Sequence, residues 1–163
     1  ERLDIPVDAV TSPGELAAKV SEASDRVVLI DTTSANPYLP EELADLRAYV
    51  EAVDALNVLV MGAGREPLEA QDMATEFRKL APQRLLVTGL DMTRRLGGVV
   101  SALHSSGAAF AEVSATPGIV DGLSPVNPVM VARLLLEITN LRIPERERGP
   151  IRPPDTKQAT GWK

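Results

Sequence analysis

No cysteine occurs among the 163 residues, so a disulfide framework and a thiolate metal site are both excluded, and a reducing cytoplasm is the simplest compartment. One histidine, His104, argues against zinc as well. Apolar runs such as residues 27 to 30 and 134 to 136 fall far short of the roughly 18 residues that a membrane span requires. No direct membrane insertion is expected, and any inner-membrane association is expected to be peripheral, through partners. Positive charge is also scarce: 17 Lys and Arg against 23 Asp and Glu leave a net charge of −6. That balance argues against nonspecific nucleic-acid binding, which needs clustered cations to neutralise phosphates. The charge is uneven, because residues 141 to 163 hold six Lys or Arg against three Asp or Glu, which leaves −9 on residues 1 to 140.

What remains fits one soluble domain: 44% of the residues are hydrophobic and 25% charged. Short β-rich runs alternate with amphipathic helical stretches, the pattern of βα units around a mostly parallel sheet. The expected strands are residues 5–10, 26–31, 57–62, 84–88 and 109–114. Ser12-Pro13-Gly14-Glu15 has capping-box spacing with proline at the first helical position, so a helix starts there. Leu43, Leu46, Val50 and Val53 form the apolar stripe of a second helix. Met73, Phe77 and Leu80 mark a third, and Leu96, Val99, Val100 and Leu103 a fourth that ends at Gly107. Asn127-Pro128 opens a fifth, with Val131, Leu134, Leu135 and Ile138 inward. Residues 141 to 163 contain four prolines and no periodicity, the composition of a linker or tail. They are expected to be held by contacts with the sheet or with a neighbouring molecule, and Trp162 is an available apolar anchor.

Several motifs occur in a telling order. Asp31-Thr32 closes an apolar run, Thr88-Gly89-Leu90-Asp91 closes another, and Arg95-Leu96-Gly97-Gly98 follows at once. Ser114-Ala115-Thr116, then Asp121-Gly122-Leu123-Ser124-Pro125 and Ala132-Arg133-Leu134-Leu135-Leu136 complete the series. This order resembles the DTAGR, TKLD, RLGG, GTG and DDLEP motifs of signal-recognition-particle-type GTPases, over about residues 3 to 138. Within that superfamily, Ile5-Pro6-Val7 with Ser12-Pro13-Gly14-Glu15-Leu16 is most similar to the flagellar FlhF subfamily. The resemblance implies an open α/β sheet, mostly parallel, with helices on both faces, as a partial GTPase domain over residues 1–140 followed by a tail at 141–163. The family's GxxxxGK(S/T) phosphate loop is not in this sequence and is expected upstream of Glu1, in a longer parent.

By the same resemblance, Thr88, Gly89, Asp91, Gly97, Gly98, Ser114, Ala115 and Thr116 belong to a guanine-nucleotide site, and Asp31 orients Mg²⁺ through water. No catalytic residue is assigned. GTP or GDP with Mg²⁺ is expected in the intact parent, with none bound by this chain alone. Departures matter too: Ser34 and Ala35 replace the family's glycine and arginine after the acid, and Gly89 replaces the lysine whose stem covers the base.

The residues themselves leave plainer readings open. Asp31 is equally a cap of its strand or of the following loop, and Asn36-Pro37 a turn. Asp91 is either a guanine acceptor or the cap of a helix starting near Thr93. Gly97-Gly98 allows close approach of a ligand, or tight packing of helix on sheet. Gly62-Ala63-Gly64 marks a turn, His104 has no partner at recognisable spacing, and Arg94-Arg95 is solvated charge. Two functions therefore compete with an unrelated nucleotide-binding enzyme of the same fold class. One is guanine-nucleotide-linked protein targeting in flagellar assembly. The other is a degenerate, non-hydrolysing module that binds a protein partner or its own copy through the nucleotide face.

Overall fold

A computed structural model describes residues 6–23, 25–114, 123–126 and 128–139. The architecture is α/β. In chain order it runs α1 (Pro13–Glu22), α2 (Pro40–Ala52), β1 (Val58–Gly62), α3 (Pro67–Phe77), β2 (Arg84–Thr88), α4 (Gly97–Ser106), β3 (Ala109–Val113), β4 (Ser124–Pro125) and α5 (Pro128–Thr139). Short 3-10 turns at Arg78–Leu80 and Leu90–Met92 follow α3 and β2. The sheet order is β1-β2-β3-β4, with β1, β2 and β3 parallel and the two-residue β4 antiparallel to β3. The register of β3 on β2 shifts between Leu85 and Val87, so β3 carries a bulge there.

Local chemistry accounts for the helix ends. The Glu15 amide donates to Ser12 Oγ at 3.2 Å, one half of a capping box, while the Glu15 carboxylate accepts at 2.8 Å from the amide of Thr11, the residue before the cap. Ser12→Ala is therefore expected to cost about 1 kcal/mol, read as a lowered urea midpoint with an unchanged slope. Glu66 caps α3 through the Leu68 and Glu69 amides at 2.8 and 2.9 Å, with Pro67 at the first helical position. Gly107 ends α4 at φ 71°.

The core lies between the sheet and the α3–α4 pair. Met61, Leu85, Val87 and Val113 from the strands meet Ala70 and Ala74 of α3 and Val99 and Ala102 of α4. The tightest face of α3 is thus the Ala70–Ala74 pair, while the expected Met73, Phe77 and Leu80 are only half-buried. Small residues let α3 and α4 come close: a Cβ on Gly98 would lie 3.6 Å from the Ala70 Cβ. Leu135 of α5 packs against this cluster. Leu43 of α2 and Leu16 of α1 are buried where those two helices meet. Arg47 then ties α2 to the end of the α3 segment by donating to the Lys79 carbonyl at 3.0 Å.

Two expected strands do not form. Residues 6 to 10 carry no strand, and Ile5 lies outside the described residues. Residues 26 to 31 carry none either, and Val27 and Leu29 are 91% and 89% exposed. Among the described residues, no backbone group from Val27 to Ala35 makes a hydrogen bond. A strand is half of a ladder, and β propensity without a neighbour does not order it. Among the described residues no strand lies along the outer edge of β1 either, and Val58 and Val60 there are 42% and 58% exposed. The turn after that stretch does form: the Leu39 amide donates to the Asn36 carbonyl at 3.1 Å and the Tyr38 amide to Asn36 Oδ1 at 3.1 Å. The expected tail, Trp162 and Asn127 lie outside the described residues.

Candidate functional site

Parallel strands in register bring their carboxyl ends to one edge, the edge where open α/β sheets bind ligands. Here that edge collects Gly62-Ala63-Gly64 after β1, the Gly89-to-Thr93 turn after β2, and Ser114 after β3. Backbone hydrogen bonds stitch the three together. The Ala63 amide donates to the Thr88 carbonyl at 2.9 Å, the Ser114 amide to Val87 at 2.9 Å, and the Leu90 amide to the Ser114 carbonyl at 3.1 Å.

The turn carrying Asp91 is closed on itself. Gly89 sits at φ 67°, a left-handed conformation that glycine adopts without strain. Its carbonyl accepts from the Met92 amide at 3.2 Å and from Thr93 Oγ1 at 3.0 Å, while the Thr93 amide donates to Leu90 at 3.3 Å. Asp91 is exposed on this turn, and its carboxylate has no hydrogen bond or ion pair among the described residues. The capping reading of Asp91 does not hold, since α4 begins at Gly97 with Leu96 at its cap and no side-chain cap bond. The carboxylate is therefore spare acceptor capacity held at the sheet edge.

Gly97 and Gly98 are used for packing. A Cβ on Gly98 would lie 2.3 Å from the Arg65 carbonyl oxygen, and one on Gly97 would lie 3.0 Å from Pro67 Cγ. The glycine pair thus seats the start of α4 against the β1–α3 loop and Pro67, so of the two readings the packing one is seen here with a loop in place of the sheet. Arg94, Arg95 and His104 are exposed. Ala115 and Thr116 lie outside the described residues.

Asp31 is not part of this assembly. It is exposed, and the expected strand end beneath it is absent because residues 26 to 31 pair with nothing in the sheet. No group of three or more His, Cys, Asp or Glu residues among the described ones could hold a metal ion. A shallow gap lined by Leu90, Leu96, Val99, Phe110, Val113 and Val131 offers no polar group to orient a ligand.

Two curated relatives bear on this edge. They are proteins named flagellar biosynthesis protein FlhF from two strains of Helicobacter pylori, each 27% identical to this chain over 108 residues, or 64% of it. The chain is similar to FlhF. The matched stretch covers 24% of one relative and 23% of the other, so the chain spans about a quarter of their length. No family model matches the chain. The similarity and the motif order read from the sequence point to the same group of proteins, and the α/β sheet observed is consistent with part of such a GTPase domain.

Sequence reasoning missed three parts of this site. Thr93, which closes the Asp91 turn, carries no signal beyond its place after the motif. The close approach of Gly98 to Arg65 joins residues far apart in the chain. Glu66 was legible, because an acid before Pro67 is a helix-start signal.

Proposed function

We propose that this chain is the guanine-facing part of a signal-recognition-particle-type GTPase domain that serves protein targeting in flagellar assembly. The observation carrying the reading is the Asp91 carboxylate, unpaired among the described residues, on a closed turn at the carboxyl edge of a parallel sheet. Similarity to two FlhF proteins over 108 residues supports it. A carboxylate accepts from guanine N1–H and N2–H₂ together, whereas adenine turns an acceptor toward it, so one acid supplies base selectivity. Thr88, Gly89 and Ser114 frame the same edge; GTP or GDP is the ligand class, and the compartment is the cytoplasm.

Affinity should be low. Each charge-assisted hydrogen bond contributes about 1.5 to 3 kcal/mol against an association cost of at least roughly 4 kcal/mol. Gly89 has no side chain to cover the base, and the sequence contains no phosphate loop. Titration of the 163-residue chain with GTP is expected to give a dissociation constant in the millimolar range, near −4 kcal/mol. Saturation-transfer NMR should detect guanosine in preference to adenosine, and Asp91→Asn should remove that preference. A constant for GTP tighter than about 10 μM would overturn the weak-binding prediction. Equal binding of the two nucleosides by the unmodified chain would overturn the guanine reading.

A second reading, a non-hydrolysing module for a protein partner or a second copy, is favoured by Ser34, Ala35 and Gly89 at motif positions and by Asp31 outside the sheet. On that reading the same edge docks protein, and concentration-dependent sedimentation should be sensitive to Asp91→Arg and indifferent to nucleotide.

A further inference from the structure

We infer that Thr93 is a positioning residue: its hydroxyl locks the turn from Gly89 to Thr93 and so fixes where the Asp91 carboxylate is presented. The inference rests on the guanine reading of Asp91 for its functional half, and on hydrogen bonds alone for its structural half. Among the described residues the Asp91 carboxylate makes no hydrogen bond or ion pair that would orient it, so its direction is inherited from the backbone of the turn. That backbone is held at both ends. At the entry, the Leu90 amide is tied to the Ser114 carbonyl at 3.1 Å. At the exit, Thr93 Oγ1 reaches back to the Gly89 carbonyl at 3.0 Å, beside the weaker Met92 amide bond at 3.2 Å.

Without that hydroxyl, closure depends on two bonds of a three-residue 3-10 turn, at 3.2 and 3.3 Å, whose geometry is poor. Gly89 has a wide conformational range and resists opening little by itself. Thr93 is half-buried and faces a second loop of the site: a Cβ on Gly64 would lie 3.5 Å from Thr93 Oγ1.

The test uses the 163-residue chain with Thr93→Val, which keeps shape and removes the hydroxyl, and Thr93→Ser, which keeps the hydroxyl. In amide hydrogen exchange without ligand, Thr93→Val is expected to speed Met92 and Leu90 about tenfold and to leave the core amides of Leu85 and Val87 unchanged; Thr93→Ser restores protection. With guanosine and adenosine as probes, Thr93→Val should weaken guanosine about threefold to tenfold, the worth of one neutral hydrogen bond, and leave adenosine unchanged. Unaltered exchange at Met92 and Leu90 would overturn the inference. So would faster exchange together with full guanosine affinity, because the hydroxyl would then hold the turn without positioning Asp91. Failure of the unmodified chain to prefer guanosine would sink the guanine reading and with it the functional half, while the exchange arm still decides whether Thr93 holds the turn.

Discussion

Gly98→Ala is expected to destabilise the chain by about 2 kcal/mol, although alanine is the better helix former by roughly 1 kcal/mol. The new methyl would sit 2.3 Å from the Arg65 carbonyl oxygen and 3.1 Å from its carbon. Neither atom can retreat cheaply. Arg65 precedes Glu66, whose carboxylate holds the Leu68 and Glu69 amides, and Pro67 stiffens the next residue. Opening the gap therefore means shifting α4 away from Ala70 and Ala74, which are 1% and 0% exposed. For a chain of this size the melting temperature should fall by about 2 to 4 °C per kcal/mol. Gly14→Ala is the control, since its Cβ would meet nothing within 4 Å; it should be neutral or slightly stabilising. If Gly98→Ala melted with the unmodified chain, the glycine would not be there for packing.

Leu85→Ala should cost more, about 2 to 5 kcal/mol. Leu85 is fully buried on β2, which is flanked by β1 and β3 and covered by α3 and α4. Deleting its isobutyl end opens a cavity where strands on both sides limit collapse. Against a typical stability of about 5 to 15 kcal/mol, that loss is a large fraction. Chemical denaturation would register it as a reduced midpoint. Leu29→Ala, at an 89% exposed position, should by contrast change stability by no more than about 0.5 kcal/mol. Equal costs for the two leucines would mean that residues 26 to 31 are buried as a strand after all.

The contrast between these two leucines shows where sequence reading succeeds. Both lie in apolar, β-prone runs that end near an acid, Asp31 or Asp91, and nothing local separates Arg26-Val27-Val28-Leu29-Ile30 from Arg84-Leu85-Leu86-Val87. Only the second run has partners on both sides. The candidate site divides in the same way. Asp91 and Ser114 follow strands that pair in parallel, and they lie at one sheet edge. Asp31 follows a run of the same apolar kind, and that run has no ladder.

The sequence by itself determined the helix start at Ser12, the stop at Gly107, and the three parallel strands that alternate with α3 and α4. These follow from capping bonds within four residues and from apolar runs whose neighbours lie one βα unit away in the chain. Tertiary structure alone decided that residues 26 to 31 stay outside the sheet and that Gly98 lies against the Arg65 carbonyl. The physical reason is common to both. A ladder, and a backbone approach that leaves only 2.3 Å for a Cβ at Gly98, are properties of groups distant in sequence, and periodicity or local propensity carries no information about such pairs.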